Sequence, residues 1–348
     1  MEIKKKVLAT YADNEGSGTY RIKEPYTNIK SDKIDFILGG ERLEFAYASQ
    51  FDAILTQRPI DPKLRDFLSS FQQKGGIVVM ETDDHYSGTP HYNPTYNYWR
   101  EHRVVNSQIA ALSDYIHCST PELRLLVGYP SKTIVFSNAI KGSNPNYIEA
   151  IVRRETLRNK YNIPLDKKVI MWGGSTSHTD TIEILAPIIK HYSLRNDIIF
   201  VIASGREWLQ QNRIQEDFNV KIIDWLPVDE YKALPSIADI FLTPLNDSEF
   251  NSAKSELKCI ESAVWGVPCV SSATAPYIRF NELSGGGNLL VKKNRFRDWV
   301  GQIDRLLNNP QLQINIAQKA VEAVRTTYSL DTVNKQRVEW WESILQIG

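Results

Sequence analysis

The chain has 348 residues, of which 42% are apolar and 24% charged, and its 41 basic residues balance its 41 acidic ones. This composition excludes a disordered or fibrous protein, and the balanced charge argues against a general binder of nucleic acids or anionic membranes. The length exceeds what one hydrophobic core usually organises, so we expect two domains with a cleft between them.

The three cysteines, Cys118, Cys259 and Cys269, lack the spacing of a zinc site and fit a reducing cytoplasm. The apolar run near the N-terminus is interrupted by Asp13 and Glu15 before a signal-peptide core forms. No apolar stretch approaches the roughly 18 residues that a membrane span needs. We therefore expect a cytoplasmic protein, in a bacterium or a phage-infected host, with the inner membrane face as a further place of action.

Short apolar runs rich in β-branched residues alternate with amphipathic helical stretches along the first half of the chain. This alternation is typical of parallel sheets covered by crossover helices. Helices are predicted at 63–74 and 99–112, among others. The predicted strands are 7–11, 34–38, 53–56, 77–81, 115–119 and 133–136.

The alternation resumes after a predicted hinge and linker at 137–164, and the chain is expected to end in helices at 311–328 and 330–347. The predicted strands of this half are 169–172, 198–202, 220–223, 240–242, 269–271 and 288–290. We therefore predict an α/β protein with two Rossmann-like, doubly wound parallel sheets. The predicted units are a first Rossmann-like domain at 1–150, a second at 151–328, and a last helix in 329–348 that crosses back to the first domain.

A polar segment before a Gly-Val-Pro turn carries the clearest chemistry. A helix that starts near Ser252 would place Lys254, Lys258 and Glu261 on one face, at i, i+4 and i+7. Because a helix N-terminus favours anions, Lys254 and Ser255 beside it suit a diphosphate, and Glu261 can accept hydrogen bonds from a ribose diol. The alternative is an exposed helix with an ion pair between Lys258 and Glu261.

This segment resembles the family 4 glycosyltransferases of GT-B architecture, in which a Glu five residues before Gly-Val-Pro marks the ribose contact. Here these are Glu261 and residues 266–268. The spacing N-x-x-K-S-x-x-K-x-x-E, which begins at Asn251, is similar to a subgroup of bacteria and phages, and the likeness extends over most of the chain. The family usually has a first Glu where this chain has Ala253. The residues expected to recognise the sugar in its place are Asp247, Glu249 or Asn251.

Two loops after strands of the second half are expected to face the donor. Gly173 and Gly174 let the backbone approach a ligand, and Ser175 can donate to a phosphate. Arg206 can hold a diphosphate in bidentate fashion, with an exposed surface arginine as the alternative.

A third loop carries Trp225 and Leu226, where members of the resembling family cradle the nucleotide base. Trp225 suits the protein core equally well. His178 and Asp180 precede the next helix, where a helix cap explains them as well as a ligand does.

On the N-terminal side, the loop G-S-G-T-Y-R contains Gly18 and Arg21. Arg21 stands where a dinucleotide fingerprint needs its third glycine, so we predict that Arg21 reaches the donor phosphates or the acceptor. The acidic run E-T-D-D-H places Asp83, Asp84 and His85 at a strand end. Asp84 or His85 is predicted to orient the acceptor hydroxyl or take its proton. A metal-binding acidic pair, as in GT-A transferases, is the alternative that the two-sheet organisation disfavours.

The resemblance implies transfer of a sugar from a nucleoside diphosphate to a hydroxyl, with retention of configuration. A UDP-sugar is the favoured donor and a GDP-sugar the alternative, without a prosthetic group. We expect no essential metal, because Lys254, Lys258 and Arg206 can stabilise the leaving diphosphate.

The acceptor is predicted to be a bacterial surface glycan or a lipid-linked glycan. The rival is phage DNA with a hydroxymethylated or hydroxylated base, for which a cluster of cations could follow phosphates. These cations are Lys292, Lys293, Arg295 and Arg297. A sugar-nucleotide epimerase and a non-catalytic glycan-binding module are the alternatives of other classes.

Overall fold

The computed structural model describes residues 3–40, 44–141, 147–175 and 178–347. Its strands form two six-stranded sheets in which every pair is parallel. The two doubly wound sheets predicted from the alternation of strands and helices are therefore confirmed. Among the described residues, none of the helices combines the length and apolar character needed to cross a bilayer.

The first sheet has the order β2-β1-β3-β4-β5-β6. Helices cover both faces of a parallel sheet, which explains why its central strands are continuous apolar runs rather than alternating ones. The strand β3, for example, is buried at every position. The strands are β1 Lys5–Thr10, β2 Ile34–Leu38, β3 Ala53–Gln57, β4 Ile77–Thr82, β5 Tyr115–Cys118 and β6 Thr133–Val135.

The second sheet has the order β12-β11-β10-β7-β8-β9, so its direction of winding reverses between β10 and β7. The corresponding reversal in the first sheet lies between β1 and β3. Ligands of such sheets bind beyond the carboxyl ends of the strands at these reversals. The strands are β7 Lys168–Gly173, β8 Ile198–Ala203, β9 Val220–Ile223, β10 Ile240–Thr243, β11 Cys269–Ser272 and β12 Asn288–Val291.

The helices of the first half include one π-helical segment, Thr19–Lys23, which follows the loop after β1. The α-helices of this half are α1 Gly16–Gly18, α2 Glu24–Asn28, α3 Phe45–Ala48, α4 Pro62–Gln73, α5 Tyr96–Leu112 and α6 Pro121–Leu126. Those of the second half are α7 Tyr147–Lys160, α8 Ile182–Ser193, α9 Arg206–Gln211, α10 Val228–Tyr231, α11 Glu249–Ser252, α12 Leu257–Ala263, α13 Ala275–Leu283, α14 Phe296–Leu307, α15 Pro310–Thr326 and α16 Leu330–Ile344.

Several helices begin where a polar side chain caps the first turn and a proline follows. Asp61 accepts from the backbone N–H of Lys63 ahead of α4, and Thr120 accepts from that of Leu123 ahead of α6. A proline at the first helical position has no N–H to satisfy and its fixed φ already suits a helix. The same arrangement with Asn309 starts α15.

The chain crosses between the two sheets twice, and the two crossings lie side by side. Ile140, on the first crossing, donates to the carbonyl of Tyr328 and accepts from the N–H of Leu330 on the second. The predicted linker at 137–164 contains α7, and its residues 142–146 lie outside the described residues. After the second crossing, α16 packs against the first sheet, with Trp341 buried in a core that includes Val7.

Candidate functional site

A cleft of about 560 Å³ lies between the carboxyl ends of the two sheets and has walls from both halves of the chain. A groove of about 630 Å³ along the edge strand β2 is slightly larger, but its walls contain none of the predicted site residues. The predicted residues that line the cleft are Arg21, Asp83, Asp84, Gly174, Ser175, Trp225, Leu226, Lys254, Ser255, Lys258 and Glu261. Those outside its lining are Gly18, His85, Gly173, Arg206 and Asn251.

The prediction of a helix that starts near Ser252 is wrong. The helix α11 ends at Ser252, and α12 begins at Leu257 after a break. In a continuous helix the carbonyls of Ala253 and Lys254 would accept from backbone N–H groups four residues on. Here the hydroxyl of Thr120 donates to the carbonyl of Ala253 at 2.8 Å, and the guanidinium of Arg279 donates to that of Lys254 at 3.3 Å. Side chains from elsewhere in the fold thus replace the helical hydrogen bonds.

Lys254 consequently lies in the break, while Lys258 and Glu261 share a face of α12 at i and i+3. Burial lowers the pKa of Lys258 to about 8, with Glu261 opposing this shift and Lys254 adding to it. The ammonium group of Lys258 donates to the carbonyl of Gly173 at the end of β7. The break and α12 together bring two lysines and one glutamate to the same wall of the cleft.

Glu261 is buried, and its Oε1 accepts a hydrogen bond from the phenol of Tyr20 at 2.7 Å. Burial raises the pKa of Glu261, while the hydrogen bond from Tyr20 and the charge of Lys258 oppose the rise. A partner from the first half of the chain therefore holds the carboxylate that the resemblance assigns to the ribose.

Lys254 faces Asp84 across the cleft, with its Nζ 3.4 Å from Oδ1 of that carboxylate. Burial raises the pKa of Asp84, Lys254 opposes the rise, and the neighbouring Asp83 adds to it. Asp84 thus lies opposite the wall of Lys254, Lys258 and Glu261, which we call the cationic wall.

Asp83 is engaged within its own half of the chain. Its carboxylate accepts from the hydroxyls of Ser17 and Tyr86. Burial alone would raise the pKa of Asp83, but the Arg58 guanidinium and these two hydrogen bonds bring it below its usual value. The two adjacent acids therefore differ in their contacts. Asp83 binds side chains of the first half, whereas Asp84 pairs with Lys254 of the second half.

Arg21 was predicted to reach donor phosphates or acceptor, and the structure corrects this. Its side chain is only 2% exposed, and its Nε donates to Oε1 of Glu81 at 2.6 Å. Its Nη1 donates to the carbonyl of Phe136 at 2.6 Å and to Oδ1 of Asn138 at 3.0 Å. The guanidinium is pulled inward because the buried Glu81 carboxylate needs a charged partner.

Two other predicted site residues pair beside the cleft. The Nε2 of His85 lies 3.5 Å from Oε1 of Glu249 in α11. Burial lowers the pKa of His85, and the charge of Glu249 opposes this shift. Arg206 has a side chain that is 78% exposed and is paired with Asp224. The surface alternative therefore describes Arg206 in this structure.

Asn251 connects the loops that follow β7 and β10. Its Nδ2 donates to Oδ2 of Asp180 at 2.8 Å and to the carbonyl of Asn246 at 2.9 Å. Trp225 is 51% exposed and lines the cleft together with Leu226, so Trp225 does not belong to the core.

Gly18 and Gly173 are among the predicted glycines whose surroundings leave no room for a Cβ atom. An added Cβ at Gly173 would lie 2.5 Å from the hydroxyl of Tyr231, and one at Gly18 would lie 1.9 Å from the carbonyl oxygen of Asp13. Both distances are far below van der Waals contact. Gly173 thus lets β7 end close to the Tyr231 side chain, and Gly18 lets the loop after β1 approach the backbone of Asp13.

Residues 167–309 match the family model of the group 1 glycosyl transferases. This match confirms the predicted class of enzyme. The chain is a nucleotide-sugar-dependent glycosyltransferase. No curated protein sequence matches it, and the bacterial and phage subgroup stays a prediction.

Solved structures similar over nearly the whole length place the enzyme in the GT-B fold. A glycosyltransferase from Rickettsia africae ESF-5 has 12% identity and a TM-score of 0.68, with 100% of both chains covered. HepE of Anabaena in complex with UDP and glucose has 12% identity and a TM-score of 0.73, covering 98% of this chain and 100% of that one. An alpha-glucosyltransferase in complex with UDP-glucose and DNA containing an abasic site has 11% identity and a TM-score of 0.62, covering 96% and 98%.

Several residues of the enzyme's cleft escaped the sequence analysis. Tyr20 and Asn138 contact α12 or the break before it from the other half of the chain. Ser204 and Tyr231 line the cleft with buried hydroxyl groups that have no hydrogen-bond partner in the described structure. The position of Ser204 directly after β8 was a usable signal, whereas nothing local marks Tyr20 or Asn138.

Among the described residues of the enzyme, no group of three or more His, Cys, Asp or Glu side chains is arranged to hold a metal ion. The acidic pair Asp83 and Asp84 instead has cationic partners, Arg58 and Lys254. Lys254 and Lys258 are the lysines of the cleft lining.

Proposed function

We propose that the enzyme transfers a sugar from a UDP-sugar to a hydroxyl group of a neutral glycan, with retention of configuration. The observation that carries this proposal is the wall formed by Lys254, Lys258 and Glu261, which faces the Asp84 carboxylate across the cleft. Two cations beside one carboxylate match a diphosphate attached to a ribose.

The choice of UDP is supported by the similar structures, since HepE was solved with UDP and glucose and the alpha-glucosyltransferase with UDP-glucose. In this chain, Trp225 and Leu226 offer an apolar surface at the cleft for the base. A GDP-sugar is the alternative donor. We further propose that the enzyme acts in the cytoplasm, where its buried free cysteines stay reduced.

In the proposed reaction, the bond between the anomeric carbon and the diphosphate breaks and the acceptor oxygen bonds to the same face of the sugar. The leaving diphosphate takes the electron pair, and Lys254 and Lys258 stabilise its growing charge. The acceptor proton passes to an oxygen of the departing phosphate. We assign Asp84 the role of orienting the acceptor hydroxyl, because its partner Lys254 would turn toward the diphosphate when the donor binds.

The proposed acceptor is neutral because the first-half wall of the cleft offers no unpaired cation among its described lining residues. It carries the carboxylates of Asp13, Glu15, Asp83 and Asp84. Its guanidiniums pair with carboxylates: that of Arg58 with Asp13, and that of Arg21 with Glu81. Such a wall repels phosphates, while the hydroxyl groups of a glycan can donate to it.

Modified DNA remains a second candidate acceptor because of the similarity to an alpha-glucosyltransferase solved with DNA. The cations predicted to follow DNA phosphates are exposed, and one of them, Arg295, is paired with Asp298. They are Lys292, Lys293, Arg295 and Arg297. A DNA acceptor would need to reach the cleft past the acidic wall.

The test is release of UDP from UDP-glucose with neutral oligosaccharides, with hydroxymethylated DNA or with no acceptor. We expect UDP release only with an oligosaccharide, and a product whose anomeric configuration by NMR equals that of the donor. Release only with DNA would establish the second candidate. Binding of UDP-glucose without release under any condition would contradict a transferase, and interconversion of the donor sugar would indicate an epimerase.

A further inference from the structure

A series of hydrogen bonds connects Glu81, at the end of β4, to Ser255, in the break before α12. The Nε of Arg21 donates to Oε1 of Glu81 at 2.6 Å, and its Nη1 donates to Oδ1 of Asn138 at 3.0 Å. The Nδ2 of Asn138 then donates to Oγ of Ser255 at 2.7 Å. Glu81, Arg21 and Asn138 are buried, whereas Ser255 is partly exposed and lines the cleft.

The chemistry of these groups fixes the direction of every bond in the series. A guanidinium can only donate, so the atom of Asn138 that faces Arg21 must be its amide oxygen. The amide nitrogen then faces Ser255 and can only donate to it. Because Oγ of Ser255 accepts this bond, the hydroxyl proton of Ser255 is free to point elsewhere.

The free direction of that proton is the cleft, where Ser255 stands beside Lys254 in the cationic wall. A hydroxyl that accepts from a buried amide and donates outward is suited to an anionic oxygen. We propose that Arg21 and Asn138 are positioning residues. They orient the Ser255 hydroxyl so that it donates a hydrogen bond to the diphosphate of the UDP-sugar. This inference rests on the proposed function, because it takes the diphosphate as the ligand of the cationic wall.

The hydrogen bonds of this series also join the two halves of the chain. Glu81 and Arg21 belong to the first sheet and its following loops, and Asn138 lies on the first crossing. Ser255 belongs to the second half. The orientation of the Ser255 hydroxyl therefore depends on the contact between the two halves of the chain. Arg21 and Asn138 orient from one side of the cleft a hydroxyl that lies on the other.

The decisive substitution is Asn138→Asp, which changes one atom and keeps the shape of the side chain. A carboxylate can only accept, so it keeps the contact with Arg21 but requires Ser255 to donate toward it. The hydroxyl proton then turns away from the cleft. We expect UDP affinity, measured by calorimetry, to fall about tenfold or more in this variant.

Asn138→Asp also brings a negative charge toward the diphosphate, and a double-mutant cycle separates this effect. In the background Ser255→Ala there is no hydroxyl to redirect, so Asn138→Asp should cost only the charge repulsion. We expect its loss of UDP affinity to be at least several-fold smaller there than in the wild-type background. Equal losses in the two backgrounds would overturn the proposal.

Asn334 provides a matched control for the substitution itself. It is buried on α16 where this helix packs against the first half, its Oδ1 accepts from Arg337 at 2.9 Å, and its Nδ2 donates to the carbonyl of Pro25 at 3.0 Å. Asn334→Asp thus makes the same change between an arginine and an acceptor without touching the cleft lining. We expect UDP affinity to stay unchanged in this variant, and a loss equal to that of Asn138→Asp would overturn the proposal.

Uridine, which has no phosphate, is the second probe. We expect Asn138→Asp and Ser255→Ala to leave uridine binding unchanged, because only the diphosphate meets the Ser255 hydroxyl. An equal loss for uridine and UDP would assign Asn138 a merely structural role. Failure of the wild-type protein to bind UDP would instead contradict the proposed function, so the two failures are distinguishable. Thermal unfolding of each variant verifies that it folds.

Discussion

The phenol of Tyr20, in the π-helical segment of the first half, lies 2.7 Å from Oε1 of Glu261 in α12 of the second half. The ammonium group of Lys232 lies 5.0 Å from the centre of the Tyr20 ring and adds a cation–π contact. Tyr20 therefore occupies one oxygen of Glu261 and leaves the other for the proposed contact with a ribose hydroxyl.

Replacing Tyr20 by Phe removes only this hydroxyl. We expect the KM for UDP-glucose to rise about tenfold, since a hydrogen bond to a buried carboxylate contributes roughly 1.5–3 kcal/mol. The control is Tyr26→Phe, because Tyr26 accepts from Trp341 in the first-half core and lies outside the cleft lining. A lower KM in Tyr20→Phe would mean that Tyr20 competes with the ribose instead of positioning Glu261.

Lys254→Met should reduce kcat more than it raises the donor KM, because the lysine acts on charge that develops as the diphosphate leaves. We expect a loss of about 100-fold in kcat, or ~3 kcal/mol. Lys292→Met, which removes an exposed lysine of the same half, is the matched control. Steady-state kinetics with varied UDP-glucose measures both parameters, and equal behaviour of the two variants would contradict the assignment.

Donor binding should depend on pH through Lys258, whose pKa burial lowers to about 8. Below that pH the lysine is protonated in the free protein and binds the diphosphate without taking up a proton. Above it, binding requires uptake of a proton, so UDP affinity should fall by up to about tenfold per pH unit. Calorimetry in buffers of different ionisation enthalpy counts the protons. Affinity that stays constant from pH 7 to 9.5 would be incompatible with a lysine of this pKa at the diphosphate.

Gly173→Ala should abolish UDP binding, because the added Cβ would lie 2.5 Å from the Tyr231 hydroxyl in the cleft wall. We expect a loss of about 1–3 kcal/mol of unfolding free energy as well. Gly301→Ala is the control, since its Cβ meets nothing within 4 Å in the exposed turn of α14. It should raise stability by about 0.5–1 kcal/mol and leave UDP binding unchanged.

Chelation provides a further test of the charge arrangement. We expect activity measured with EDTA to equal that measured with Mg²⁺, because lysines rather than a divalent cation are proposed to meet the diphosphate. Recovery of activity only on addition of Mg²⁺ to the chelated protein would contradict this role of Lys254 and Lys258.

The sheets were predictable because most strands are short, largely apolar runs bounded by polar segments. The predicted strand 198–202, for instance, corresponds to β8 Ile198–Ala203. The cationic wall was predictable in composition, since Lys254, Ser255, Lys258 and Glu261 are close in sequence. The break between α11 and α12 was not predictable, because the carbonyl of Ala253 accepts a hydrogen bond from Thr120, which is 133 residues away in the sequence.

The same reason explains the error at Arg21 and the omission of Tyr20 and Asn138. A loop arginine near glycines has the local pattern of a phosphate ligand, but its actual partner, Glu81, follows 60 residues later. The partner of Tyr20 is 241 residues away. Local patterns identify which residue types meet in the cleft, whereas the pairing of buried charges across it depends on the complete fold.

The packing of α16 on the first sheet has a consequence for biosynthesis. The core that contains Val7 and Tyr26 is closed by Trp341, which lies 315 residues after Tyr26. During translation the first sheet therefore lacks part of its covering until α16 has left the ribosome. We expect the first half to acquire its protease resistance only after α16 has emerged.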